Sequence, residues 1–178
     1  MNIAIYIATS ANGFISNARN VPDWLSPEYG RGFYETCRTK AVIMGRKTYD
    51  ILAPDHLPLS EGSLVVVLTS HAGAATPNPS VVFTSARPHE IVSMLEGKGF
   101  SEAVIVGGTV TMSQFIDAGL VNDIILVVEP VLFGGEALPL LRGVAHDHKL
   151  HLIDSAKLND DTIRLHYRVA ARSRSHST

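Results

Sequence analysis

The sequence predicts an α/β fold built on a largely parallel sheet with helices on both faces, and three observations lead there. Runs rich in valine and isoleucine recur at residues 3–9, 41–44, 63–69, 81–84, 102–106 and 122–128. Several are continuously apolar rather than alternating, the pattern of strands buried on both faces. Helical stretches fall between them, at Pro27–Arg38, Arg46–Leu52, Pro88–Glu96 and Thr109–Ala118. Strands that alternate with helices form parallel or mixed sheets covered on each side. After residue 128 the pattern changes: residues 149–156 and 162–170 read as two further strands joined by Leu158-Asn159-Asp160-Asp161. Asparagine and aspartate favour a turn there, so the sheet is expected to end in an antiparallel hairpin.

At 178 residues and 46% hydrophobic composition, the chain has enough apolar material for one compact domain over residues 1–171. Residues 172–178, from Arg172 to Thr178, contain no apolar anchor and are expected to be a disordered tail. No internal repeat or interdomain linker is present, and Thr76-Pro77-Asn78-Pro79-Ser80 reads as a surface loop. The net charge of -2, from 15 basic against 17 acidic residues, provides no global field for nucleic acid or an anionic membrane. Any phosphate site must therefore be local. The single cysteine, Cys37, excludes an internal disulfide and a cysteine-based zinc site, and reads as a buried small apolar residue. Met1–Ala8 lacks a basic leader and is interrupted by Thr9, Ser10 and Asn12, unlike a signal peptide. Ile124–Phe133 is apolar but contains Glu129 and Pro130, and is too short to cross a bilayer as a helix. A soluble cytoplasmic protein is expected, with no nucleic-acid or membrane partner.

The chemistry concentrates where strands run into helices. Val42-Ile43-Met44 ends in Gly45-Arg46-Lys47-Thr48-Tyr49, which sets two cations where a helix begins. A helix N-terminus carries partial positive charge, so these cations are misplaced unless an anion sits there too; the alternative is that both simply point into water. A second junction, Ala103-Val104-Ile105-Val106-Gly107-Gly108-Thr109-Val110-Thr111, pairs two glycines with a helix start. Backbone without side chains can approach a pyrophosphate closely, although a tight turn explains the glycines equally. The spacing is neither G-x-G-x-x-G nor a P-loop. A third junction ends Val65-Val66-Val67-Leu68 in Thr69-Ser70. In open α/β sheets ligands gather at the carboxyl ends of strands, so the three junctions together suggest one extended phosphate-rich ligand, and a dinucleotide fits best.

The loop Ala8-Thr9-Ser10-Ala11-Asn12-Gly13-Phe14-Ile15-Ser16, followed by Pro22-Asp23-Trp24, makes the resemblance specific. With the junctions above, Val121-Asn122-Asp123-Ile124-Ile125-Leu126, and Pro130 through Gly135, the chain resembles the dihydrofolate reductase superfamily over residues 2–169. Within it, the chain is most similar to the reductase domain of bifunctional riboflavin-biosynthesis deaminase-reductases. The H-x-E and P-C-x-x-C signature of a zinc deaminase does not occur. The resemblance implies a three-layer αβα fold around a mixed, mostly parallel eight-stranded sheet, NADPH as hydride donor, and a homodimer formed through the sheet edge near the C-terminal hairpin. By position it implies that Gly45, Arg46, Lys47 and Thr48 hold cofactor phosphates, with Arg46 favouring NADPH over NADH. It sets Thr69 and Ser70 at the adenosine end, and Val106, Gly107, Gly108, Thr109, Val110 and Thr111 at the pyrophosphate, with a cis Gly107–Gly108 bond. Ala8, Gly13, Phe14 and Ile15 fall at the nicotinamide.

Dihydrofolate reductases carry an acidic residue in the first helix at the position of Tyr29, and the riboflavin branch carries one in the first loop, where this chain has Ala11-Asn12. Asn12, Tyr29 and the neighbouring Glu28 are therefore the catalytic candidates. Tyrosine is not an anion at neutral pH, which argues against dihydrofolate as substrate. Adjacent helical residues point about 100° apart, so Glu28 does not automatically replace the missing carboxylate. Trp24, Tyr29 and Phe33 are the substrate-side aromatics, able to stack on a planar ring or to pack a core. His146, His148 and His151 lack accompanying carboxylates or cysteines at ligand spacing, so no metal is assigned. The expected activity is NADPH-dependent reduction of a small heterocyclic or imine-containing substrate. The alternatives are an NADP-binding protein without catalysis, or a true dihydrofolate reductase.

Overall fold

The protein is described by a computed structural model covering residues 1–57, 60, 62–71 and 78–171. Its main sheet has eight strands. In chain order they are β1 (Asn2–Ser10), β3 (Ala41–Gly45), β4 (Leu64–Leu68), β5 (Val81–Thr84), β6 (Glu102–Ile105), β7 (Asp123–Glu129), β9 (Leu150–Lys157) and β10 (Ile163–Val169). Their order across the sheet is β5-β4-β3-β6-β1-β7-β10-β9. The first six positions pair in parallel, and β10 runs antiparallel to both β7 and β9. This is the mixed sheet with a closing hairpin that the sequence predicts, and it has the dihydrofolate reductase-like arrangement.

Among the described residues, four helices cover it: α1 (Pro27–Cys37), α2 (Arg46–His56), α3 (Pro88–Gly97) and α4 (Thr109–Asp117). Alternate residues of the central strands enter opposite cores, because successive side chains leave a strand on opposite faces. Ile3, Ile5, Ala41, Ile43, Val66 and Ile105 meet Ile91 and Leu95 of α3 and Met112, Phe115 and Ile116 of α4. Tyr6, Ala8, Val42, Met44, Val65, Val67 and Val104 meet Tyr29 and Cys37 of α1, with Phe33, Tyr49 and Leu52 packed at the margin. Two filled cores explain why these strands read as unbroken apolar runs.

Two details depart from the sequence reading, and a third adds to it. A small second sheet pairs β2 (Phe14–Ser16) with β8 (Leu138–Pro139); both are too short for any periodicity to announce them. Helix α2 continues through His56 rather than ending at Leu52. Glu129, expected within an apolar run, is wholly buried at the end of β7. The tail at 172–178, and Thr76 and Pro77 of the expected surface loop, lie outside the described residues. Among the described residues no helix is long and apolar enough to cross a membrane.

Candidate active site

A cleft of about 1790 Å³ runs along the carboxyl ends of the parallel strands. That exceeds the roughly 300–1,000 Å³ typical of a single small-ligand pocket, leaving room for a dinucleotide and a second ligand together. One wall is the junction of β3 and α2. Gly45 forms the N-cap of α2 with no side-chain capping bond and no acidic residue in the first turn. Its amide donates to Gly107 O at 2.9 Å, and Val106 N donates to Ile43 O at 3.0 Å, so the ends of β3 and β6 are laced together. A Cβ on Gly45 would stand 3.0 Å from Thr111 Oγ1.

The adjoining wall is the junction of β6 and α4. The Gly107–Gly108 bond is cis, and Gly107 has φ +127°, a conformation that L side chains rarely adopt. Gly108 caps α4, again with no side-chain capping bond and no acid in the first turn. The other two helices differ. Ser26 caps α1 by accepting from Tyr29 N at 3.2 Å, and Glu90 of α3 accepts from Arg87 N at 2.7 Å. Thus, among the described helices, the two that start beside Gly45 and Gly108 have neither a capping side chain nor an acid in the first turn, and unpaired amides with a positive dipole end attract an anion.

Arg46 stands at the outer part of this wall. Its Nε donates to Asp50 Oδ1 at 2.7 Å, and its guanidinium lies 5.0 Å from the centre of the Phe83 ring. Aspartate and ring together fix the plane of the guanidinium while leaving its outer nitrogens for another acceptor. Thr69 and Ser70 line the cleft beyond β4, joined by Thr84–Pro88 after β5. Sequence reading missed this last segment, because nothing in Thr84-Ser85-Ala86-Arg87 resembles a phosphate loop.

The far end is aromatic. Trp24, Tyr29 and Phe33 line it with Leu25, Leu52 and Leu57. Tyr29 stacks on Tyr6 at 5.3 Å between ring centres, and Trp24 meets Phe133 edge-on at 5.0 Å. Burial pushes the Tyr29 hydroxyl well above its ordinary value. Tyr29 is therefore a neutral floor to this end, not an anionic one.

Of the residues singled out from the sequence, Ala8, Ile15, Gly45–Thr48, Thr69, Ser70, Val106–Thr111, Trp24, Tyr29 and Phe33 come together around this one cleft. Four do not line it. Asn12 is occupied holding its own loop: its Oδ1 accepts from Ser10 Oγ at 2.8 Å and from Phe133 N at 3.1 Å, while Nδ2 donates to Phe133 O at 2.8 Å. Gly13 and Phe14 belong to the same tether, with Phe14 paired to Pro139. Glu28 points away from the cleft, where Asn159 Nδ2 donates to it at 2.9 Å and Arg31 at 2.6 Å. The Asn159 bond, with its own backbone and Arg31, holds the Glu28 carboxyl below the usual carboxylate range. The helical turn between residues 28 and 29 decides this: with Tyr29 packed on the sheet, its neighbour is carried round toward the β9–β10 turn.

The RibD C-terminal domain model matches residues 2–164. The chain belongs to that family. It is 28% identical over 172 residues to YwjB, an uncharacterized protein of Bacillus subtilis, covering 92% of this chain and 95% of that one. Its fold is similar to that of a putative riboflavin biosynthesis protein from Shewanella sp. PV-4, with a TM-score of 0.77 and 23% identity over 96% and 99% of the two chains. It is also similar to dihydrofolate reductase from Enterococcus faecalis, solved with NADP(H), with a TM-score of 0.72 and 19% identity over 95% and 96% of the two. Family membership makes this a reductase-like domain.

Proposed function

We propose that the protein is an NADPH-dependent reductase of a small heterocyclic or imine-containing substrate, of the kind reduced in riboflavin biosynthesis. The observation that carries this reading is the pair of uncapped helix starts at Gly45 and Gly108, set beside each other in a cleft with an aromatic far end. The residues fit a pyrophosphate: two sets of free amides, no acid in either first turn, and a glycine at 107 where a side chain would crowd Thr48. NADPH, when bound, supplies the hydride. Gly45, Lys47, Thr48 and Gly107–Thr111 would hold its phosphates, Arg46 with Thr69 and Ser70 its adenosine end, and Ala8 and Ile15 its nicotinamide end. Trp24, Tyr29 and Phe33 would hold the acceptor ring flat against that end. Tyr29 is neutral and Asn12 is tied to Phe133, so the proton that completes the reduction comes from water.

Titration calorimetry with NADPH and NADH tests the cofactor. Binding of NADPH at micromolar concentration is expected, as is a greater loss of NADPH than of NADH affinity in Arg46→Ala. No binding of either nucleotide would refute the reading, and equal losses would refute the role of Arg46 at the 2'-phosphate. A second reading, nucleotide binding without turnover, is favoured by Tyr29 standing where a carboxylate is needed. A panel of pterins, pyrimidines and cyclic imines, followed by loss of nicotinamide absorbance, separates the two, and turnover of dihydrofolate would restore the third possibility.

We also infer a cytoplasmic homodimer formed through β9. Both faces of this edge strand are exposed, with Leu152 56% and Ile153 54% accessible. Apolar side chains along an unpaired edge are an aggregation hazard unless covered.

A further inference from the structure

We propose that Ser26 is the hydrogen-bond acceptor that anchors the substrate, and that buried Glu129 is the positioning residue that makes it one. The inference rests on the reductase reading of the cleft and concerns the substrate it takes. Glu129 ends β7 in register with Ser10 of β1 and is only 1% exposed. None of the ion pairs among the described residues includes it. Its partners are instead three donors: Ser26 N at 3.0 Å, Ser26 Oγ at 2.7 Å and Thr162 Oγ1 at 3.0 Å. All three bonds run into the carboxyl oxygens, which accept them. A buried carboxylate without a cation is expensive, and hydrogen bonds are what make it tolerable.

The consequence lies at Ser26, which lines the aromatic end of the cleft. A serine hydroxyl has one proton and two lone pairs. The proton is committed to Glu129, and one lone pair accepts from Tyr29 N at 3.2 Å. What remains for the cleft is a single lone pair, made more negative by the carboxylate behind it. Ser26 therefore selects ligands that offer an N–H or O–H donor, and favours a protonated amino-heterocycle or imine over a neutral one. A carboxylate reaching the substrate through a serine answers the absence of one at Tyr29.

The test uses two probes of one shape, diaminopyrimidine, which donates and protonates, and dimethoxypyrimidine, which has no N–H. Each is titrated against the NADPH-loaded protein by quenching of Trp24, the single tryptophan, with NADPH affinity measured separately. The unaltered protein is expected to prefer diaminopyrimidine. Ser26→Ala and Glu129→Gln are each expected to weaken it about tenfold, the range of a hydrogen bond to a charged group, and to leave dimethoxypyrimidine and NADPH unchanged. Ser26→Thr, which keeps the hydroxyl, is expected to restore binding. If Glu129→Gln does not fold, Ser26→Ala and its threonine counterpart carry the test alone. NADPH binding with no preference for the donor probe, or variants that hold both probes as the unaltered protein does, would overturn this inference and leave the reductase reading intact. Equal loss of both probes with a lowered melting temperature would also overturn it, since that is the signature of a helix cap alone. Failure to bind NADPH would overturn the reductase reading itself.

Discussion

Replacing Gly32 by alanine tests how α1 is held against β1, and with it the placement of the aromatic end of the cleft. A Cβ on Gly32 would overlap the Tyr6 hydroxyl and lie 3.3 Å from Tyr6 Cζ. The phenol has little room to yield. Tyr6 is 2% exposed, donates to Tyr29 O at 3.2 Å, and sits between Tyr29 at 5.3 Å and Phe33 at 6.4 Å. Overpacking of this kind costs about 1–3 kcal/mol, and losing the buried hydrogen bond costs about 1 kcal/mol more. Alanine in place of glycine inside a helix returns about 1 kcal/mol. The net expectation is a destabilisation of about 1–3 kcal/mol, with a fall in melting temperature of about 2–4 °C for each kcal/mol at this chain length. Urea unfolding followed by circular dichroism measures it, on Gly32→Ala, Tyr6→Phe and the double variant. Tyr6→Phe removes the overlapping oxygen, so the double variant should recover about 1 kcal/mol relative to the sum of the singles. Gly32→Ala at or above the stability of the unaltered protein, or a coupling near zero, would refute the argument.

Other consequences are as direct. Gly107→Ala forces a side chain into φ +127° with Thr48 Oγ1 3.3 Å away; a loss of about 1–3 kcal/mol in stability is expected, together with weaker NADPH binding by calorimetry. Unchanged NADPH affinity there would count against the phosphate cradle. Burial pushes the Cys37 thiol from 9.0 up to about 12, and raises the Tyr6 and Tyr29 hydroxyls as well. These groups are neutral in the folded chain and ionise first in the unfolded one, so their stabilisation is complete below their ordinary values and lost as pH rises. Unfolding free energies from urea titration should therefore fall above about pH 9 through Cys37 and above about pH 10 through the two tyrosines, approaching about 1.4 kcal/mol per pH unit for each group. Cys37→Ala should remove one such contribution, and a flat alkaline profile would contradict the burial. Ile153→Asp should convert the proposed dimer to a monomer in light scattering; a monomer in the unaltered protein, or a dimer that survives the charge, would count against β9 as the interface.

Much of this molecule is legible in its sequence because the central strands are short and buried on both faces. Val42–Met44 and Val65–Val67 have no polar side to disguise them, so strand and helix positions follow from apolar runs alone. The junctions are legible for a related reason. Gly45, Gly107 and Gly108 are backbone requirements, and a backbone requirement leaves a residue type behind. The C-terminal hairpin announces itself through Asn159, Asp160 and Asp161. Less was written in the segments that work by contact: β2 and β8 are too short to carry a period, and Thr84–Pro88 joins the cleft only because β5 pairs beside β4.

Sequence alone thus determined the α/β class, the order of strands and helices, and the junctions at Gly45, Thr69 and Gly107, since each depends on local composition and chain order. Tertiary structure decided which side chains of α1 and the first loop face the cleft. Helical rotation turned Glu28 outward to Arg31 and Asn159 while Tyr29 packed inward. The loop closed on Asn12 because Phe133, distant in the chain, offers both a donor and an acceptor. Glu129 stands out as an acid that closes an apolar run, but its meaning depends on Ser26 and Thr162, which folding brings to it from opposite ends of the chain. Periodicity records which way a residue faces within its own element; it holds no record of which distant donor will meet it.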